Sequence, residues 1–222
     1  MQRRGKLFYL LLSILFVLVA YPFFEANPLA SKLFAIFISF ILISGTYAVS
    51  RESLWKRITS LILAVPTIVI IWADEFVDVR MVEILDYIFV ILFLSFTVFC
   101  VLSHIVRAKR ITKDILAGAV SAYLLLGFTW SMLYGLVQSI RPGSFRIFGQ
   151  IPTETIQEWG FFTYYSFTTL TTLGYGDITP VTSYAQSLAI LEATFGVLFS
   201  AILIARLVGM YLFQTREESK NI

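Results

Sequence analysis

Residues Thr171 to Asp177, Thr-Thr-Leu-Gly-Tyr-Gly-Asp, have the types and spacing needed to hold a dehydrated cation with backbone alone. Such a site needs successive carbonyl oxygens aimed at one axis, whereas neighbouring carbonyls of an ordinary extended run point opposite ways. Glycine at alternate positions, Gly174 and Gly176, gives access to the positive φ that turns them the same way. Thr172 adds a hydroxyl oxygen below the backbone rings, so Thr172, Leu173, Gly174, Tyr175 and Gly176 form the candidate ion path. Tyr175 is expected to point away from the axis and brace the loop. Asp177 is expected at the outer mouth, where its charge concentrates cations. A glycine turn would explain Gly-Tyr-Gly taken alone, so the flanking elements decide.

Upstream, Trp159 to Leu170 is an apolar, aromatic and Thr-rich segment. It is long enough for about three helical turns and too short to span a bilayer. Downstream, Pro180 ends the loop and a long apolar helix begins near Tyr184. Apolar residues make up 58% of the chain and charged residues 14%, with mean hydropathy +0.83. Soluble domains are nearer a quarter charged, so the composition predicts an all-α integral membrane protein. Six spanning segments are expected at 7–24, 30–49, 55–72, 84–106, 115–138 and 184–213, each near the ~20 residues a bilayer requires. The half-helix at 159–170 is a re-entrant seventh piece, tolerable where the adjoining backbone lines an ion path.

Lys and Arg set the orientation. Lys6, Lys56, Arg57, Arg107, Arg110, Lys113, Arg206, Arg216 and Lys220 share one side with Arg3, Arg4, Arg51 and Lys109, against Lys32, Arg80, Arg141 and Arg146 on the other. The basic side is therefore read as cytoplasmic, with both termini on the inner side of a cell membrane and the loop at 171–177 opening outward. The net charge of +3 is this loop bias and implies no nucleic acid. The first segment has features of a secretory signal, but Ala20-Tyr21-Pro22 is a poor cleavage site. The single Cys100 excludes an intrachain disulfide. No soluble regulatory domain is expected after Phe213, and gating is then expected to fall to the membrane part, the bilayer or a separate partner.

Thr-x-Gly-Tyr-Gly-Asp resembles the selectivity filter of potassium channels. Residues from about 115 to 213 resemble the pore module of that family, and Ser187 to Gly209 is similar to the inner helix of its bacterial members. The resemblance implies a homotetramer, since a filter is built from four loops and this chain carries one. It implies potassium as permeant ion and no cofactor. It also implies that Asp177 braces the filter through a partner on the half-helix. Tyr165, Trp159 and Tyr164 are the candidates, Tyr165 standing where many relatives carry Trp, with Thr171 as further support. Gly196, sixteen residues after Pro180, matches the spacing of a hinge glycine, although close helix packing explains a membrane glycine equally well. Ala205 and Gly209 fall where inner helices of relatives converge.

Glu192 is the one acidic residue inside the last apolar helix. A carboxylate at membrane depth needs protein or water as partner, and the favoured expectation is a hydrogen bond to the back of the filter or half-helix. Lining the cavity as a cation attractor and a neutral or interfacial carboxyl are the alternatives. Residues 1–110 read as a four-helix domain placed like a voltage sensor but without gating charges, and 111–222 as the pore domain. The fourth helix has no Arg or Lys from Ile84 to Ser103, whereas a sensor needs several within the field. His104, Arg107, Arg110 and Lys113 lie at its basic end, where such residues are expected anyway. Asp74, Glu75, Asp78, Glu83 and Asp86 form a solvated acidic face or a proton- or divalent-sensing site. Arg51, Lys56, Arg57 and the basic run at 107–113 could meet anionic lipid headgroups. No catalytic constellation competes, so the chain is not expected to be an enzyme. The other function classes are a non-conducting scaffold or regulatory subunit and a subunit of a potassium uptake transporter. The last usually carries four degenerate filters in one chain, against one intact filter here.

Overall fold

The computed structural model describes residues 5–20, 30–49, 54–74, 79–108, 110–148 and 159–220. The helices are α1 (Lys6–Ala20), α2 (Ala30–Val49), α3 (Leu54–Asp74), α4 (Arg80–Arg107), α5 (Lys113–Ile140), α6 (Trp159–Leu170) and α7 (Ser183–Lys220). Two short strands, β1 (Phe145–Ile147) and β2 (Ile178–Pro180), pair antiparallel with Arg146 opposite Thr179. Leu54–Ala73, Arg80–Arg107, Lys113–Ile140 and Ser183–Arg216 are long and apolar enough to cross a membrane. The apolar stretches Lys6–Ala20 and Ala35–Val49 are shorter. Residues 21–24 of the first expected span lie outside the described residues, as do Glu75, Asp78, Arg3, Arg4, Arg51 and Lys109.

The front helices pack on one another and on α5 of the same chain. Leu10, Ile14, Ile38, Leu42, Phe93 and Leu94 are buried in one cluster with Ile115, Ala122, Leu125 and Phe128 of α5. The boundary expected at 110/111 therefore crosses a shared core. Polar residues inside this core bond locally: Thr97 donates to the Phe93 carbonyl and Ser121 to that of Ala117, each one turn back. Thr112 caps α5, its hydroxyl accepting from the Ile115 amide at 3.2 Å. Lys56 is only 7% exposed and turns inward to Ser103 Oγ at 3.4 Å. This removes it from the lipid-facing basic set expected of that loop, while Arg57 remains exposed.

A second, aromatic core holds the half-helix. Tyr134, Phe145, Phe162, Tyr165, Leu170 and Ile178 are buried together. Tyr134 and Tyr165 meet edge to face at 4.8 Å between ring centroids, and Phe145 and Phe162 at 5.2 Å. Such edge contacts suit the ring quadrupole and add to area burial. Helix α7 differs from the rest. Its residues Ile190, Leu191, Phe195, Leu198, Ile202 and Val208 are all exposed in the single chain.

Candidate functional site

Helix α6 ends at Leu170 with carbonyls that have no partner farther along the helix, as every helix end does. The chain satisfies them by turning back. The Thr171 amide donates to the Phe167 carbonyl at 3.1 Å and the Thr172 amide to Thr169 at 2.9 Å. The Leu173 and Gly174 amides both donate to Thr168, at 2.8 and 3.0 Å. Thr171 adds its hydroxyl, donating to the Phe167 carbonyl at 2.6 Å. The first amides of the loop are thus consumed by the helix end. Among the described residues, no backbone hydrogen bond reaches a carbonyl from Thr172 to Gly176.

Backbone φ alternates along the same stretch. Thr172 has φ 60°, Gly174 52° and Gly176 80°, while Leu173 and Tyr175 between them stay negative. Alternation in the sign of φ is the geometry that lets successive carbonyls turn the same way. The glycines supply two of the three positive positions at little steric cost. The third falls on Thr172, where a branched side chain makes left-handed φ unfavourable. Leu173 and Tyr175 are 56% and 67% exposed, so the loop lies on an open face of the chain.

Asp177 closes the loop. Its Oδ2 accepts from the Tyr164 phenol at 2.6 Å and its Oδ1 from the Ile178 amide at 3.0 Å. These donors, the phenol foremost, hold the Asp177 carboxyl below the usual carboxylate range. The Tyr164 ring also stacks on Tyr175, 6° from parallel with centroids 6.4 Å apart. Tyr164 therefore ties Tyr175, in the middle of the loop, to Asp177 at its end. Tyr165, expected to brace Asp177, does not do so. One residue along α6 is about 100° around the helix, and that turn places Tyr165 in the aromatic core against Tyr134 and Phe145. The Trp159 side chain lies outside the described residues. The far side of Asp177 is pinned as well: its carbonyl accepts from the Phe148 amide at 2.8 Å, so the β1–β2 ribbon anchors the loop exit.

Behind the loop, Glu192 of α7 is fully buried. One carboxylate oxygen accepts from the Tyr134 phenol of α5 and the other from the Ser166 hydroxyl of α6. One side chain thus joins α5, α6 and α7. One turn on, Gly196 meets the end of α6. A Cβ built there would lie 2.1 Å from the Leu170 carbonyl oxygen, so contact at this distance requires glycine. Helix α7 runs unbroken through this point, and Gly196 lies against the end of α6. Ala205 is exposed, and a Cβ at Gly209 would meet nothing within 4 Å. At the basic end, Arg206 Nη2 donates to the Val106 carbonyl at 2.7 Å, and Gln214 Oε1 accepts from the Ile111 amide at 3.2 Å. These bonds fasten α7 to the α4–α5 connection.

Tyr134 and Ser166 were not legible beforehand, whereas Tyr164 was one of the three candidates for holding Asp177. The available signal was physical: a phenol and a hydroxyl on apolar helices need polar partners, and Glu192 is an acceptor on the neighbouring helix. Among the described residues, no group of three or more His, Cys, Asp or Glu could hold a metal ion.

Residues 118–212 match the model of a family described as an ion channel. No curated protein and no solved structure matches the chain. The matched segment runs from the first turns of α5 through α6 and the loop to Leu212 of α7, and with the apolar helices it supports an ion-channel domain in a membrane protein.

Proposed function

We propose that this chain is one subunit of a potassium-selective channel that lets K+ pass down its gradient. Four copies around an axis complete the filter, and no cofactor takes part. Supporting this reading is the alternation of φ at Thr172, Gly174 and Gly176, together with amides folded back onto α6. The pair leaves a row of carbonyls on an exposed face. One loop offers a cation a single wall of oxygens, whereas four such loops surround it and replace its hydration shell. The exposed apolar residues of α7 suit burial between copies and lipid.

In this reading α6 points its C-terminal end at the inner side of the filter, where the partial negative charge of the helix dipole favours a cation. Asp177 concentrates cations at the mouth. Chain termini and the basic loops face the cytoplasm across the cell membrane. Six segments span, with α1 and α2 completing the four helices before the pore. These four helices carry no gating charge across the membrane centre and act as packing for the pore.

The test is flux from liposomes holding purified protein, with K+ or Na+ as the only permeant cation and Ba2+ as blocker. Flux with K+ that Ba2+ stops and Na+ does not support is the expected result. A folded tetramer passing neither ion, at any voltage or pH applied, would favour the scaffold. Potassium movement strictly coupled to a second ion would favour the uptake transporter.

A further inference from the structure

An open groove of about 680 Å3 lies between α1 and α2, within the size range of small-molecule sites. Its walls are Tyr9, Leu12 and Phe16 of α1 and Phe40, Ile43 and Tyr47 of α2, all exposed in the chain. Its floor carries Ser13 and Ser44, whose hydroxyls sit 2.7 Å apart. They also reach the Leu10 and Ile41 carbonyls at 2.7 and 3.0 Å. The floor therefore leaves neither serine hydroxyl unsatisfied.

The two helices run antiparallel, so the groove has distinct ends. Phe16 meets Phe37 edge to face at 5.8 Å at one end. At the other, Lys6 Nζ donates to the Tyr47 carbonyl at 3.1 Å and lies 4.1 Å from the Tyr47 ring centroid. From Tyr9 to Phe16 the groove is about 10 Å long at the rise of an α-helix, which fits within one leaflet of a ~30 Å hydrocarbon core. An apolar trough of leaflet depth with an ammonium at its mouth has the polarity of an anionic lipid: a chain along the trough and a phosphate at the charged rim.

We propose that the α1–α2 groove binds one acyl chain of an anionic phospholipid whose phosphate is drawn to Lys6. The site lies outside the segment that matches the ion-channel family, and its test reads lipid rather than flux, so it stands or falls apart from ion selectivity.

Native mass spectrometry of the full chain, purified and titrated with phosphatidylglycerol or phosphatidylcholine of equal chain length, tests this. The wild type should retain phosphatidylglycerol about fivefold better, the size of one lysine at an anionic surface. Lys6→Gln, which leaves the groove walls intact, should reduce that preference to parity. Ser44→Phe, filling the floor, should lose both lipids, while Ile62→Trp on exposed α3 should retain them. Thermal unfolding of each variant shows which remain folded, and Lys6→Gln carries the test alone if Ser44→Phe does not. Equal retention of the two lipids by the wild type would overturn the proposal, as would an undiminished preference in Lys6→Gln. So would a disulfide between copies in a Phe40→Cys variant, which would place a second copy in the groove.

Discussion

Asp177 and Tyr164 show how a single contact can set the behaviour of the loop. The phenol donates to a carboxylate, a charge-assisted bond stronger than a neutral one. Because the native carboxyl is held below its usual value, the ionised form stabilises the native loop at every pH above the ordinary carboxylate range of about 4. That stabilisation is lost as pH falls through the depressed native value. Filter stability, followed as K+-dependent thermal unfolding, should be insensitive to this pair from pH 8 to 5 and weaken under stronger acid. Asp177→Asn should remove that acid limb. Tyr164→Phe and Asp177→Asn should each shorten the conducting lifetime in bilayer recordings, and the double variant should do no more than the worse single one. Fully additive effects would mean that the two residues act separately. Glu192 makes a similar case in the interior. Tyr134→Phe removes one of its two donors and should destabilise the protein by about 1–3 kcal/mol in denaturant unfolding. Ser166→Ala should do likewise, and Glu192→Gln, which can still accept, should cost less than Glu192→Ala.

At the scale of elements, the central contact is the end of α6 against α7. Gly196→Ala would bring a methyl carbon against the Leu170 backbone oxygen, and backbone cannot swing aside as a side chain can. The variant should lose about 1–3 kcal/mol and disturb selectivity, since the same helix end holds the filter amides. Gly209→Ala, with open space around it, should stay within about 1 kcal/mol of wild type. Arg206→Ala should free the α4–α5 connection, raising amide exchange at residues 106–112 in hydrogen–deuterium measurements. Much of this level was readable in advance. The half-helix, the inner helix and the long α4 and α5 follow from runs of apolar residues and from Pro180, because a bilayer demands long apolar helices. Which of Tyr164 and Tyr165 holds Asp177 was not readable. The two residues are chemically identical, and the choice depends on where the helix stops relative to the loop. Nor was Thr172 as a left-handed residue, because threonine carries no signature of positive φ, whereas Gly174 and Gly176 do. The partnership of Glu192 with Tyr134 joins helices 58 residues apart in sequence, a distance that no local pattern encodes.

Taken whole, the chain has two unequal surfaces. The front helices and α5 bury a shared core, while the filter loop and most of α7 remain open. In the proposed assembly this surface is shared between copies and lipid, with the loop lining a central axis. Chemical cross-linking in membranes should therefore stop at four copies, and a ladder ending at two would contradict the assembly. The most direct measurement of the central claim is the reversal potential in a planar bilayer with K+ on one side and Na+ on the other. The account predicts a potential strongly displaced toward that of K+ in the wild type. It also predicts loss of this displacement in Gly176→Ala, where a methyl group opposes the positive φ. A wild-type potential near zero, with current carried equally by both ions, would contradict it.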